Sequence, residues 1–505
     1  MVTLTELTAH LPPQPDESAL FPLIERLKAE SQRVLVVIDD DPTGTQTVSD
    51  VELLTAWDEE LLTETLGREQ RLFYLLTNSR SLPEQEAAEL NETLARQLLA
   101  ASRRTGKEFV VASRSDSTLR GHYPAEIFAL ERGMGRGEID RKNRTYGEGI
   151  VEGGEIDRKG RTYDGHLVVL GFFEGGRYTI GDTHYVATPT ATSDTLQPAH
   201  ETPYARDSAF GYRTAYLPAW IEEKSKGYWR AEQVISLDLK LIREGGPEAV
   251  AERLRAVTGG LPIVVNAAGY GDLAVVAAGV MLAEASGKNF AYRTAASFVR
   301  LRGAVATRPL LQPREIVGEK PTTNGGLVIV GSYVPASTAQ LETLLTLPSV
   351  EGIELPVERV IQSEEEAHAI SAALARRADE LIQSGVTPVV FTSRALQTGA
   401  DSADFLALGR RVSRALIEVV QAVRQRPRFI VAKGGITSHD VARHGLGAER
   451  AHVLGQIVPG IPVWRLEKGP QARFAGVPYI VFPGNVGTPE TLKEVVQALS
   501  ISKEE

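Results

Sequence analysis

Short runs that are apolar at every position recur along the 505-residue chain. In the first half they are Val34–Ile38, Leu72–Leu76 and Phe109–Ala112. Each gives way to a polar or turn-rich segment, and a charged, Ala/Leu-rich stretch predicts a helix over about Pro83–Arg104. Runs that are continuously apolar, rather than alternating, predict parallel strands covered on both faces. The same pattern resumes with strands at Leu327–Val330, Pro388–Phe391, Phe429–Ala432 and Tyr479–Phe482. Helices are predicted at about Ser337–Leu345, Glu364–Ser384 and Ala403–Arg424. Between the two blocks, Arg302–Asn324 carries Pro309, Pro313 and Pro321 and reads as a linker. The fold class expected is therefore α/β: two α/β domains, residues 1–318 and 319–505, each with a mostly parallel sheet flanked by helices. In such sheets ligands bind at the carboxyl ends of the strands, so an active site in the cleft between the domains is expected.

One region breaks the pattern. Residues 133–165 are rich in glycine and charge and hold a near-duplication, Gly137–Tyr146 against Gly154–Tyr163. A solenoid needs about three repeats or more, so this reads as an expanded surface insert within the first domain.

Composition narrows the function classes. The chain is 42% hydrophobic and 24% charged, so it can bury a large core. Lys and Arg number 55 against 65 Asp and Glu, a formal charge of −10. That balance argues against a nucleic-acid partner. With no cysteine, disulfides, thiolate metal sites and cysteine nucleophiles are excluded. No run approaches the ~20 apolar residues of a membrane helix, and no targeting signal is recognisable near Met1. A cytoplasmic protein without a membrane partner is the expectation.

Three segments follow buried strands and could carry chemistry. Asp39-Asp40-Asp41-Pro42-Thr43-Gly44 crowds three carboxylates on a tight turn, suited to accepting a proton from a hydroxyl or holding a polyol, and equally to an ordinary strand-ending turn. Arg114-Ser115-Asp116-Ser117-Thr118-Leu119-Arg120 sets two guanidinium groups around hydroxyls and a carboxylate, a chemistry suited to a sugar acid, though a solvated helix cap would look alike. Gly434-Gly435-Ile436-Thr437 leaves backbone N–H groups open to phosphate oxygens, and Gly484 opens a second glycine segment. The P-loop, dinucleotide and nucleophile-elbow motifs are absent. His439 and His444 are spaced i, i+5, poor for one face of an α-helix, so no zinc pair is expected there. Asp182 and His184 would share a strand face and are read as structural.

Taken together and in order, these segments resemble the four-carbon acid sugar kinase family, long known as a domain of unknown function. Asp40-Asp41-Pro42-Thr43-Gly44 resembles its Asp-Asp-x-Thr-Gly signature, and Asp116–Gly121 its Asp-Ser-Thr-Leu-Arg-Gly. Gly331-Ser332, Gly434-Gly435-Ile436-Thr437 and Gly484-Asn485-Val486-Gly487 resemble its three C-terminal motifs. The resemblance runs from about Val34 to the end of the chain. It departs at Phe173–Tyr178 and Thr202–Asp207, which suggest a longer subgroup, and at Pro42, where the family commonly has Leu.

The resemblance implies an N-terminal sugar-acid-binding domain and a C-terminal nucleotide-binding domain. It implies phosphate transfer from ATP to a terminal hydroxyl of threonate, erythronate, a 3-oxo acid or a branched relative. By motif, Ser332, Gly434, Gly435, Ile436, Thr437 and Gly484 would contact the nucleotide. Arg120, with Arg114, would clamp the acid's carboxylate beside Thr43, Ser115 and Ser117. Asp40, Asp41 or Asp116 would take the hydroxyl proton, and Mg²⁺ would accompany ATP without a dedicated protein cage. A homodimer is compatible with this reading, which does not set the oligomeric state. An ATP-independent lyase or isomerase acting on a sugar acid, and a non-enzymatic sugar-acid sensor, stand as alternatives.

Overall fold

The computed structural model describes residues 2–135, 162–187, 195–319, 321–331, 334–394, 402–467, 469, 471–484 and 486–500, with the side chains of 402–408 left aside. The duplicated insert lies almost wholly outside the described residues, as do Ser332 and Asn485. The described chain forms two compact units that are interleaved rather than divided by one cut. The first comprises Met1–Ile38, Trp57–Arg71 and Leu82–Ala304; the second comprises Asp39–Ala56, Leu72–Ser81 and Val305–Glu505.

In the first unit the apolar runs form the expected parallel sheet. Its strands lie in the order Ile235–Leu237, Leu261–Val265, Gly165–Val169, Phe290–Thr294, Phe109–Arg114 and Val34–Asp39. The pairings from the first of these strands through to Phe109–Arg114 are all parallel. Leu35, Val36 and Val37 are fully enclosed, as continuous apolar strands require. The helix Tyr270–Ala285 is apolar on nearly all sides and correspondingly buried. Its one carboxylate in the first turn, Asp272, is enclosed and held by Arg243 at 2.8 and 3.0 Å. A small antiparallel sheet of Val2–Thr3, Thr195–Pro198, Thr183–Ala187 and Arg177–Ile180 completes the unit.

The second unit is a mixed sheet. Its order is Leu72–Leu76, Val51–Leu54, Arg450–Val458, Ile461–Leu466, Pro478–Phe482, Ile430–Lys433, Leu327–Val330, Thr387–Thr392 and Val350–Leu355. The five strands from Pro478–Phe482 onward are parallel. The hairpin of Arg450–Val458 and Ile461–Leu466 is antiparallel and pairs Val51–Leu54 on one side and Pro478–Phe482 on the other. Reading for apolar runs passes over this hairpin, because Arg450–Val458 alternates between buried and half-buried positions.

That hairpin is also the reason the units interleave. Val51–Leu54 takes its register from Arg450–Val453, and Glu52 meets Arg450 at 2.9 Å with both side chains about nine-tenths enclosed. The expected linker differs too: Leu311 and Ile316 are buried in the second unit's core, and Leu311 N donates to Gln456 O at 2.7 Å. The boundary therefore falls at Ala304/Val305 instead of near 318, since those two apolar side chains have a core to enter. Glu52→Gln should break this largely enclosed ion pair. We expect it to lower the unfolding free energy by about 3 kcal/mol, read as a lower urea midpoint at unchanged slope.

Candidate functional site

In the first unit, the strand Phe109–Arg114 ends in the hydroxyl-rich loop. Ser115 N donates to Thr294 O at 2.9 Å, continuing the pairing with the neighbouring strand. Beyond it the loop is pinned from beneath by Arg293, a buried side chain whose Nη2 donates to Asp116 O at 3.3 Å and Arg120 O at 2.9 Å. Leu119 and Gly121 take positive φ, 69° and 114°, which folds the loop tightly over this guanidinium. Asp116 Oδ2 accepts from Thr118 Oγ1 and from Arg120 Nε, the latter at 2.8 Å. Arg114, Ser115 and Ser117 are buried in the same loop.

The segment that departs from the family pattern builds the outer wall. Arg120 Nη1 reaches Asp207 Oδ2 at 3.5 Å, and its guanidinium lies 5.0 Å over the Tyr204 ring. Tyr212 donates its hydroxyl to Thr118 O at 2.9 Å, and burial pushes that phenol's pKa up. Arg120 is thus a held fork and not a swinging arm.

His184 supports the loop from behind. Its Nε2 lies 2.7 Å from Ser117 O and its Nδ1 lies 3.0 Å from Thr179 Oγ1. The carbonyl can only accept, so Nε2 carries the proton and Nδ1 accepts from the Thr179 hydroxyl. Asp182 accepts from Asn266 Nδ2 and Ser236 Oγ, each at 2.6 Å, so it does not pair with His184; both residues are structural.

In the second unit, the three carboxylates, one guanidinium and the glycine turn come together. Asp39 is fully enclosed, and its Oδ1 accepts from Asp41 N at 3.2 Å. Arg80, in the loop after Leu72–Leu76, grips Asp40 through Nε and Nη2 and reaches Asp41 Oδ2 through Nη1 at 3.3 Å. Asp41 Oδ1 accepts from Thr43 N at 2.8 Å and from the Thr43 hydroxyl at 2.5 Å. Gly44 has no room for a side chain: a Cβ there would stand 1.7 Å from Asp39 Oδ2. Trp464 Nε1 donates to Thr45 Oγ1 at 3.0 Å, tying the turn to the hairpin.

Against this turn lies Gly434-Gly435. Gly434 has φ 110°, and a Cβ on Gly435 would stand 2.9 Å from Asp41 Oδ2. Gly331 abuts Thr437, since a Cβ there would meet Thr437 Oγ1 at 2.3 Å. Lys433, enclosed at the end of its strand, donates Nζ to Pro483 O at 2.5 Å and Gly484 O at 3.2 Å, and burial pushes its pKa down to about 7. Ser337 Oγ donates to Gly484 O at 3.2 Å. Ile436 is 56% exposed, an apolar side chain displayed beside the glycines.

So Asp40, Asp41 and Thr43 stand with Gly434, Gly435, Thr437 and Gly484 in one unit, while Asp116, Arg114, Ser115, Ser117 and Arg120 stand in the other. Sequence reasoning assigned no role to Arg80, Lys433 or Arg293, and did not link Asp207 to Arg120 or His184 to Ser117. A cation at or within a few residues of a buried strand's end was the available signal for Arg80 and Lys433.

Two family descriptions match this chain: a sugar-binding N-terminal domain over residues 35–302 and a nucleotide-binding C-terminal domain over residues 327–492. The protein is thus a two-domain sugar- and nucleotide-binding protein. It belongs to the four-carbon acid sugar kinase family, DUF1537. Among solved structures, a Haemophilus influenzae protein of the DUF1537 family is similar at TM-score 0.59 and 16% identity, covering 92% of this chain and 100% of its own. A Salmonella typhimurium LT2 protein, titled a "putative tRNA synthase", is similar at TM-score 0.62 and 15% identity, covering 91% of this chain and 98% of its own. At these identities the likeness shows a shared fold. No curated protein matches the chain. Among the described residues, no helix is long and apolar enough to cross a membrane.

The His184 environment predicts an acid limit. Burial holds its pKa down at about 4, against 6.5 when exposed. Between those values the unfolded chain binds a proton that the folded chain does not, so stability rises with pH across that window. Acidifying from pH 6.5 to 4 should cost about 3 kcal/mol through this residue. His184→Gln, which keeps one donor and one acceptor, should lose that part of the pH slope in urea unfolding; an unchanged slope would refute the assignment.

Proposed function

We propose that the protein is an ATP-dependent kinase that phosphorylates a terminal hydroxyl of a small sugar acid of four carbons or a branched relative. The observation that carries this reading is the crowding of Asp41 against Gly435, beside Lys433 and Gly484, in a chain with a sugar-binding and a nucleotide-binding domain. A backbone turn without Cβ atoms suits phosphate oxygens. Ser332, Gly434, Gly435, Ile436, Thr437 and Gly484 are assigned to ATP, Ile436 offering an apolar face to the base.

Recognition of the acid is assigned to the other loop. Arg120, held by Asp116 and Asp207 over Tyr204, receives the acid's carboxylate, with Arg114, Ser115 and Ser117 around it. In the transfer, the acceptor oxygen forms a bond to the γ-phosphorus, the bond from that phosphorus to the ADP oxygen breaks, and the hydroxyl proton passes to a carboxylate. Asp116, in the sugar-binding loop, is our assignment for that base. Asp40 is taken up by Arg80 and acts by positioning it. Asp41, a partly exposed carboxylate against the glycine turn, would be the residue to hold Mg²⁺. When bound, the ion would neutralise phosphate charge, with most of its remaining ligands from phosphate and water.

ADP release measured over a panel of tetronates and 3-oxo acids tests the reading. ADP should form only when an acid is present, and product formed without ATP would overturn it. Asp116→Asn should lower kcat by about 10²–10⁴-fold. Gly434→Ala, which forces Ala into a φ that L-residues resist, should raise the KM for ATP by about 10-fold or more and leave the KM for the acid unchanged.

A further inference from the structure

His439, Asp440 and His444 follow the glycine turn in the second unit. An i, i+5 spacing separates two side chains on an α-helix, where i, i+4 and i, i+3 are the neighbours. Here the chain is not α-helical. After the helix Gly435–Asp440 it widens into a π turn over Val441–Gly445, and Leu446 N donates to Val441 O at 2.8 Å, an i→i+5 bond. The wide turn brings position 444 back onto the face of position 439. The two imidazole centroids stand 5.8 Å apart, edge to face. One donor atom from each of His439, Asp440 and His444 lies within 4.8 Å of the others.

The surroundings orient these donors. Ser413 donates its hydroxyl to Asp440 Oδ2, which fixes the carboxylate and turns Oδ1 toward His439 Nδ1 at 3.2 Å. His439 is buried and His444 is exposed, so the cluster is anchored on one side and open to solvent on the other. Bound carboxylate and imidazole ligands around zinc sit about 2.0–2.2 Å from the metal.

We propose that His439, Asp440 and His444 form a site for a first-row divalent transition metal, Zn²⁺ or its Co²⁺ or Ni²⁺ analogues, distinct from the Mg²⁺ that accompanies ATP. Two nitrogens and one carboxylate are the donors such ions select, whereas Mg²⁺ prefers an all-oxygen shell. Three protein ligands with an open side leave room for water or an added ligand. A π turn inside a helix is itself often found where a functional residue must be re-aimed. The metal would clamp the end of the helix that begins at Gly435 to the turn after it. This inference stands apart from the kinase assignment, because it concerns metal binding alone.

The test is a titration of the full, untagged chain, stripped with chelator, with Co²⁺ alone, followed by visible d–d absorption and by calorimetry. One Co²⁺ per chain should bind, displaceable by Zn²⁺. His439→Ala and His444→Ala should each weaken binding at least about 100-fold, and Ser413→Ala, which removes the hydroxyl holding Asp440, about 10-fold. His368→Ala, at a His–Glu pair elsewhere on the chain, should change nothing. Circular dichroism of each variant verifies that it is folded, and His444→Gln serves where alanine is not tolerated. Absence of stoichiometric binding, or binding that survives loss of both His439 and His444, would overturn the proposal. So would an outcome in which His368→Ala weakens binding as much as His444→Ala.

Discussion

Three consecutive carboxylates at the end of a buried strand cannot stand without a cation, and Arg80 supplies it. Asp39 is enclosed, Asp40 nearly so, and Asp41 is partly exposed against a glycine. Left alone, their mutual repulsion and the loss of hydration would drive the turn apart. Arg80 spans Asp40 and Asp41 with three nitrogens, and its planar fork explains why a lysine would not serve as well. Because Arg80 leaves the strand Leu72–Leu76, and that strand pairs with Val51–Leu54, the acidic turn's charge balance depends on the register of its own unit's sheet. The same turn is then fixed from the hairpin by Trp464 on Thr45 and by Gln46 on Gly460 O.

The sugar-side loop solves the converse problem with the same means. Arg293 is buried beneath carbonyls of Asp116 and Arg120, and Arg120 is shared between two carboxylates and a tyrosine ring. Charge-assisted bonds of this kind set the geometry of a loop that has no regular structure of its own. A protein with formal charge −10 does not draw anions by its overall field. Both loops instead offer local positive groups whose neutralising acids also hold them in place.

What was legible in the sequence follows from which physical signal each element carries. Buried parallel strands are apolar at every position, and the expected Leu72–Leu76 and Leu327–Val330 are found without displacement. Long helices with charged outer faces were equally plain, as in Glu364–Gln383. The hairpin strand Arg450–Val458 was not, because a half-covered antiparallel strand mixes polar and apolar positions and dilutes the signal. Its absence from the reading is also why the interleaving went unseen: the partner of Val51–Leu54 is nearly 400 positions away in the chain. Of the candidate site residues, the aspartate and glycine motifs lie on turns that pack together in the second unit, while no motif marked their charge partners. Arg80, Arg293 and Asp207 come from elements that no local motif links to Asp40 or Asp116.

The histidine pair shows a different limit, one of geometry rather than distance along the chain. Periodicity arguments assume a backbone repeat, and the assumption of 3.6 residues per turn rules out a shared face for positions five apart. The backbone between His439 and His444 does not obey it, because Leu446 bonds to Val441 and the turn is one residue wider. The inner side of the turn is packed: Val441 and Ala442 are buried, and Gly445 lies so close to Val420 that a Cβ there would come within 3.0 Å. The extra residue is taken up in the turn, and the side chains on its outer face are brought together as a consequence. A spacing that excludes a site on a regular helix is therefore, at a π turn, the spacing that creates one.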